Sequence, residues 1–206
     1  MLKKPIAIVA GEPNSISSEI IFKVWKFRKK FKHKRIIIIG NINLLIKQKK
    51  KLGVIIKFKE IKKNFTLKEL SGNKLPVYNV EYNQRNPFEK ISKKSNKYIY
   101  KCFQIATNLI EDNKVLGLIN CPISKESLFN NKYSGVTEFL SKKSNAKGNE
   151  VMLIFNKQLS VSPITTHLPL NKIFKKINKE QIIKKIKIIN SFYIKNLKKK
   201  PTIAVL

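Results

Sequence analysis

Four short polar clusters hold the residues that could do chemistry, and each lies beside an apolar run. They are Ala10–Glu19, Asn120–Lys125, Gly135–Leu140 and Thr165–Leu170. The chain has only seven glycines, and none falls in a G-x-G-x-x-G or G-x-x-x-x-G-K-[ST] pattern. Local motifs therefore predict neither a standard dinucleotide site nor a P-loop, so each cluster is interpreted from its own side chains.

The first two clusters follow apolar strands and suit an anion. Gly11 and Glu12 lie in a strand-to-helix turn, where helix N–H groups could face a phosphate, but an ordinary capped turn explains this sequence equally well. Lys125 could offer a point charge to a phosphate or carboxylate. A solvated lysine is favoured, since the chain holds 41 lysines. Cys121 is interpreted as a buried structural thiol rather than a nucleophile.

The other two clusters contain a hydroxyl and an imidazole with possible ligand roles. Thr137 could donate to a ligand, although capping a helix is the favoured interpretation. His167 stands at a strand end among hydroxyl groups, and a hydrogen-bonded structural histidine is favoured over a metal ligand. One imidazole cannot hold a catalytic metal, which usually needs three protein ligands. The second histidine, His33, lies among lysines and is assigned to the surface.

The elements that position these clusters alternate between strands and helices. Helices are predicted after Ser17 or Ser18, from a cap at Asn41 to about Lys51, within 88–112, and from a cap at Asn178 paired with Gln181. This order predicts an α/β fold with a mixed, largely parallel sheet and flanking helices. The predicted strands are Ile6–Val9, Arg35–Ile39, Val54–Phe58, Val115–Ile119, Val151–Phe155, Leu159–Ile164 and Thr202–Leu206.

Three further features concern organisation. Val151–Phe155 and Leu159–Ile164 are predicted to form an antiparallel hairpin, and the polar stretch 59–86 a surface excursion. Thr202–Leu206 resembles a strand that has just begun, so the C-terminal part of the fold is expected to be missing; a genuine edge strand is the alternative. No linker or repeat marks an internal boundary within 1–206.

The composition is strongly basic. Forty-four basic residues against twelve acidic ones give a net charge of +32. Lys, Ile and Asn are enriched together while Arg is nearly absent, which indicates compositional drift rather than a selected phosphate-backbone surface. No specific nucleic-acid binding is expected. Two cysteines without a C-x-x-C pair, and no apolar run long enough for a signal peptide or membrane span, predict a soluble cytoplasmic protein.

Taken in order, these motifs resemble the 4-hydroxythreonine-4-phosphate dehydrogenase family across essentially the whole chain. The resemblance rests on Gly11-Glu12-Pro13 with Glu19, the Pro–x–x–Lys turn that ends at Lys125, Gly-x-Thr-Glu-Phe-Leu at 135–140, and Thr-Thr-His-Leu-Pro-Leu at 165–170. It implies the N-terminal portion of a two-domain α/β dehydrogenase that is similar in fold to isocitrate and isopropylmalate dehydrogenases. The full-length protein is then expected to be a homodimer with active sites at the subunit interface.

The resemblance also implies the chemistry. Family members oxidise a small phosphorylated substrate, 4-phosphooxy-threonine, with NAD and a divalent metal (Zn, Mg or Co), in vitamin B6 and pyridoxal phosphate biosynthesis. The β-keto acid formed then loses carbon dioxide. By position, His167 matches the first metal ligand and Thr137 a substrate-binding residue. The remaining metal and substrate ligands of the family lie beyond the equivalent of Leu206, so this chain alone is expected to bind metal poorly and to be inactive.

One departure keeps alternatives open. Val136 occupies the position of a substrate-binding histidine of the family, and valine can neither donate a hydrogen bond nor carry a charge. A related dehydrogenase for another phosphorylated hydroxy acid, such as threonate or erythronate phosphate, is therefore the second hypothesis. A non-catalytic basic binding protein is the third, and it predicts saturable nucleic-acid affinity that survives moderate salt.

Overall fold

The computed structural model describes residues 4–31, 35–144 and 148–206. The chain divides into two compact units, Met1–Asn130 and Asn131–Leu206. The sequence indicates no such boundary, because no Pro/Gly/Ser-rich linker separates the two units. His33, assigned to the surface from the sequence, lies outside the described residues.

The first unit is built on a parallel sheet of five strands in the order β3-β4-β2-β1-β5. The strands are β1 Ile6–Val9, β2 Ile36–Gly40, β3 Lys57–Ile61, β4 Lys74–Asn79 and β5 Leu118–Asn120. Adjacent strands pair in parallel, with Ile8 opposite Ile38 and Ile119. The α/β fold class with a largely parallel sheet is thereby confirmed. β1 lies in the interior of the sheet, between β2 and β5. The connection after β1 leads to one side of this strand, and the connection after β4 leads to its other side.

Three helices of the first unit fall within predicted stretches, and a fourth, short helix was not predicted. They are α1 Ser17–Lys26, α2 Ile42–Lys51, α3 Asn96–Glu111 and α4 Lys125–Phe129. The predicted cap at Asn41 is confirmed, because its side chain accepts a hydrogen bond from the Leu44 N–H at 2.8 Å. The predicted caps Ser17 and Ser18 are wrong. Both lie inside α1, and the Ser15 hydroxyl accepts the Ser17 N–H at 3.2 Å instead.

Both faces of the sheet are covered, which explains why β1 and β2 are continuous apolar runs rather than alternating ones. On one face, α1 buries Ile21, Phe22 and Trp25 in a core with Ile8 and Ile38. The intervening residues of these strands point the other way, and α3 contacts β1 and β2.

β4 corrects the prediction that residues 59–86 form a surface excursion. Leu75 and Val77 are fully buried, and the strand lies inside the sheet between β3 and β2. Pro76 argues against a strand in the sequence, since proline cannot donate to a sheet ladder. Pairing with β2 begins at Val77, one residue after the proline. The stretch therefore contains the end of β3, an irregular segment and the interior strand β4.

The named secondary-structure elements in the described part of the second unit are all helical. They are α5 Val136–Lys143, α6 Leu170–Ile173 and α7 Lys179–Phe192, followed by a π-helical segment, Tyr193–Leu197. Asn178 caps α7 as predicted, accepting the Gln181 N–H at 2.9 Å.

The three strands predicted after residue 150 are not formed as strands. The expected hairpin is reduced to a single antiparallel bridge between Ile154 and Val161, and Thr202–Leu206 is irregular. A two-stranded ribbon without a further sheet or helix to pack on has marginal stability. Consistent with this, large apolar side chains here are exposed, among them Leu159 at 73%, Leu170 at 84% and Phe174 at 69%. Within the described parts of the chain, no helix has the length and apolarity needed to cross a membrane.

Candidate functional site

The carboxyl ends of β1 and β5 form the point where ligands bind in many open α/β sheets. Gly11, directly after β1, has φ +74° and lies against Cys121 and Pro122, directly after β5. A Cβ atom on Gly11 would come within 2.4 Å of the Pro122 carbonyl oxygen. That oxygen also accepts hydrogen bonds from the Glu12 N–H at 2.9 Å and the Ser17 hydroxyl at 3.2 Å. The two turns therefore close against each other.

Glu12 is a buried carboxylate that holds this edge together. Its side chain is 1% exposed, and it accepts the Asn14 N–H at 3.1 Å and the Ser95 hydroxyl at 2.8 Å. The enclosed space beside it measures about 10 Å³, roughly the room for one water molecule. A phosphate does not fit there. For Gly11 and Glu12 the structure thus favours the capped-turn interpretation over anion binding.

A second layer of hydrogen bonds ties this turn to the segment after β4. Asn14 Oδ1 accepts from Gln84 Nε2 and from the Glu89 N–H, both at 2.8 Å. Gln48 is 2% exposed and donates from Nε2 to the Pro13 carbonyl at 2.7 Å and the Pro87 carbonyl at 3.0 Å. These long-range bonds fix the segment 81–95, which has little regular structure of its own.

The remaining residues of the second cluster have plain surroundings. Lys125 is exposed at the start of the five-residue helix α4, which Ser124 caps by accepting the Ser127 N–H at 3.3 Å. Cys121 is 6% exposed, and burial raises the pKa of its thiol to about 11. A thiol that is mostly protonated at neutral pH is a poor nucleophile, which agrees with the structural interpretation of this residue.

In the second unit, residues from the third and fourth clusters meet at the start of α5. Glu138, in the first turn of that helix, accepts the Thr166 hydroxyl through Oε1 at 3.3 Å. Its other oxygen, Oε2, is buried and has no hydrogen-bond partner among the described residues. A Cβ atom on Gly135 would lie 2.9 Å from that oxygen and 3.6 Å from His167 Nε2. By addition, the carboxylate oxygen and the imidazole nitrogen are at most 6.5 Å apart.

His167 has an unusual backbone for its residue type. Its φ of +57° is in the left-handed region, which histidine adopts more readily than most non-glycine residues but still at a cost. The side chain is exposed. An accessible imidazole near a buried, unpartnered carboxylate oxygen is a chemically suitable beginning of a divalent-metal site. The described residues contain no cluster of three or more His, Cys, Asp and Glu that could complete it.

Val136 and Thr137 occupy the first turn of α5. The N-cap position is Gly135, so Thr137 lies inside the helix rather than capping it as expected. Its side chain is exposed, whereas Val136 is half-buried. Thr137 is therefore accessible to a ligand, while Val136 offers only apolar contact.

The structure places the candidate residues in two groups. Gly11, Glu12 and Lys125 belong to the first unit, and Val136, Thr137 and His167 to the second. No role for Glu138 was predicted from the sequence, although this residue links the two motif clusters of the second unit. Its position at i+3 from Gly135 is a weak sequence signal, because an acidic residue in the first turn of a helix is common.

The first unit has the fold of an open, parallel α/β protein. Comparison with known proteins assigns the chain to a narrower class. A 4-hydroxythreonine-4-phosphate dehydrogenase structure from Burkholderia phymatum superposes on 94% of this chain with a TM-score of 0.81 at 21% identity, covering 59% of that protein. This likeness concerns the fold. The family described as "Pyridoxal phosphate biosynthetic protein PdxA" matches residues 32–206, and the chain belongs to that family.

Curated relatives agree with this assignment. The 4-hydroxythreonine-4-phosphate dehydrogenase of Sulfurihydrogenibium sp. (strain YO3AOP1) is 33% identical over 98% of this chain and 62% of its own length. A protein named "Putative D-threonate 4-phosphate dehydrogenase" from Oceanobacillus iheyensis is 26% identical over the whole chain and 63% of its own length. The chain therefore spans somewhat less than two thirds of the relatives that it matches.

Proposed function

We propose that the chain contributes the amino-terminal portion of a 4-hydroxythreonine-4-phosphate dehydrogenase that acts in pyridoxal phosphate biosynthesis with NAD and a divalent metal. The observation that carries this proposal is the meeting of Gly135, Glu138 and His167 at the start of α5. This arrangement joins the two motifs on which the family resemblance most depends. The name of the Sulfurihydrogenibium relative, a 4-hydroxythreonine-4-phosphate dehydrogenase, supports it.

His167 would be one ligand of the metal, and the other ligands would come from residues outside the described part of this chain. A bound divalent ion supplies Lewis acidity that lowers the cost of negative charge on the substrate oxygen. Glu138 would hold Thr166, and with it the backbone that leads into His167. Thr137, exposed in the first turn of α5, would donate a hydrogen bond to the substrate.

The overall reaction balances as an oxidation followed by a decarboxylation. The carbon that bears the substrate hydroxyl gives a hydride to NAD⁺, and the hydroxyl proton leaves to solvent, so a ketone and NADH result. The β-keto acid then loses carbon dioxide, and the electron pair left behind takes up a proton. Hydride chemistry belongs to the nicotinamide, whereas the protein's part is binding and orientation.

The coding DNA beyond Leu206 tests the proposal. A continuous reading frame that resembles the final third of the Sulfurihydrogenibium relative is the expected result. Unrelated sequence after a stop codon, with no such segment encoded nearby, would contradict the proposal that this chain is part of an active dehydrogenase.

Val136 favours one second candidate, a sister enzyme for threonate 4-phosphate, since the relative named "Putative D-threonate 4-phosphate dehydrogenase" matches the whole chain. The candidate substrates differ in the group on the carbon beside the reacting centre, an amine or a hydroxyl. Comparing kcat/KM for both substrates in the full-length protein decides between the two enzymes. A Val136→His variant tests whether the missing histidine sets the preference: if it does, the ratio of the two kcat/KM values changes by about tenfold or more.

A further inference from the structure

A cavity of about 250 Å³ lies at the amino ends of β2 and β4, the opposite edge of the sheet from the turns around Gly11. We call it the arginine cavity. Its walls come from the end of α1 and the turn that follows, from the residue before β2, and from the loop before β4. Among the residues that line it are Trp25, Arg28, Lys29, Arg35, Ser71 and Gly72.

The cavity concentrates positive charge without a compensating acid. Arg28, Lys29 and Arg35 line it, and the described residues of its lining include no Asp or Glu. Three cations around one concave surface repel one another unless an anion lies between them. If the positive charge of the cavity only reflected the overall net charge of +32, its basic residues would be lysines, as they are elsewhere on the surface.

The choice of arginine is the more specific signal. The whole chain has three arginines against 41 lysines, and two of the three line this one cavity. These two positions have kept arginine in a chain that is otherwise enriched in lysine. Arginine differs from lysine in its planar fork of N–H donors, which binds the two oxygens of a phosphate or carboxylate side by side.

Arg35 lines the cavity, and its guanidinium group is not fully hydrogen-bonded by the described residues. Its Nε atom is buried and has no hydrogen-bond partner among the described residues. A buried donor left unpaired is costly, and an ion or water that completes the group is the usual explanation. Arg28 differs, because one of its nitrogens donates to the Trp25 carbonyl at 3.3 Å and so also caps the end of α1.

We propose that the arginine cavity binds a small phosphate-bearing anion, with the Arg35 guanidinium as its principal ligand and Arg28 and Lys29 beside it. The volume lies just below the usual range for small-molecule pockets, roughly 300–1,000 Å³. It therefore suits inorganic phosphate or a short organic phosphate rather than a dinucleotide. The inference does not depend on the proposed dehydrogenase activity, because it rests on other residues at the other edge of the sheet.

Trp25 provides the test, since it is the sole tryptophan of the chain and lines the cavity. Trp25 fluorescence of the 206-residue chain is followed during titration with sodium phosphate and, separately, with glycerol 3-phosphate. Ionic strength is held constant with sodium chloride so that screening does not change. Equal midpoints for the two probes identify free phosphate as the ligand chemistry, and a lower midpoint for glycerol 3-phosphate identifies an organic phosphate.

Arg35→Lys is the decisive variant, because it keeps the charge and removes the fork. The expected result is saturable binding whose midpoint rises by about tenfold or more in Arg35→Lys. Arg85→Lys, the same change at the exposed third arginine, is the matched control and leaves the midpoint unchanged. Equal midpoints in both variants, or a response that never saturates, would overturn the proposal. If Arg35→Lys unfolds, Arg28→Lys replaces it under the same criterion, with a smaller expected rise of about threefold.

Discussion

The Cα atom of Gly11 lies so close to the Pro122 carbonyl that a side chain at this position would place its Cβ 2.4 Å from the carbonyl oxygen. Gly11 also has a φ of +74°, which L side chains rarely adopt. Both the close approach to Pro122 and the positive φ therefore require glycine at position 11, because the turns after β1 and β5 must be in contact. The geometry of this sheet edge depends on that contact, because the Glu12 N–H and the Ser17 hydroxyl bond the same oxygen.

Replacing Gly11 by alanine should therefore destabilise the first unit strongly. Both the φ strain and the overlap act in the folded state, so we expect a loss of about 3 kcal/mol or more in the free energy of unfolding. Urea unfolding followed by circular dichroism measures it. Gly53→Ala is the matched control, since Gly53 also has positive φ (+62°) but no atom within 4 Å of an added Cβ. Equal losses in the two variants would mean that the contact with Pro122 adds nothing.

Glu12→Gln tests the buried carboxylate. The amide has the same shape, but its NH₂ group cannot accept, so either the Asn14 N–H or the Ser95 hydroxyl loses its acceptor. We expect a loss of about 2–3 kcal/mol. Glu19→Gln provides the comparison, because Glu19 forms an exposed ion pair with Lys23 at 2.7 Å, and its loss should change stability by less than about 0.5 kcal/mol. A Glu12→Gln variant as stable as Glu19→Gln would rule out a structural role for the carboxylate.

The left-handed backbone of His167 predicts an order of stabilities. His167→Gly should be more stable than His167→Ala by about 1 kcal/mol, because glycine adopts a φ of +57° without a Cβ penalty. Thermal unfolding of the two variants measures the difference. A His167→Ala variant whose unfolding temperature equals or exceeds that of His167→Gly would indicate that residue 167 leaves the left-handed region.

The two cysteines should be slow to alkylate. Burial raises the pKa of Cys121 to about 11 and that of Cys102 to about 12. At pH 8 we expect folded thiols to react with iodoacetamide at least about tenfold more slowly than the same thiols in urea. Because these folded pKa values are raised, the thiols favour folding below pH 9, and that contribution is lost as pH rises toward 11 and 12. Stability that does not fall above pH 9 in the native chain relative to Cys121→Ala would contradict this.

Local patterns predicted the elements whose causes are local. Asn41 and Asn178 cap the helices that follow them, and Ile6–Val9 forms the strand that its apolar run indicates. The predictions that failed concern elements that depend on contacts with residues far away in the sequence. β4 is a strand despite Pro76 because β3 and β2 flank it, and Val151–Phe155 is not a strand because no sheet in the described chain receives it.

The candidate sites divide in the same way. The motif at 135–140 and the motif at 165–170 were identified from the sequence, yet only the structure brings Glu138 within hydrogen-bond reach of Thr166. Likewise, no spacing rule connects Arg28 and Arg35 with the loop at Ser71 and Gly72, since the fold alone gathers them around one cavity. Composition gave an indirect hint, because arginine is so rare in this chain.

The central claim, that this chain forms part of a dehydrogenase with His167 as a metal ligand, is tested most directly by one assay. The chain is joined to the segment that follows the equivalent position in the Sulfurihydrogenibium relative, and NADH formation from 4-hydroxythreonine-4-phosphate is measured with and without added divalent metal. We expect metal-dependent NADH formation by the joined protein, none by the 206-residue chain alone, and a rate lower by about 100-fold or more in His167→Ala. A folded joined protein that forms no NADH, or one whose rate His167→Ala leaves unchanged, would contradict the claim.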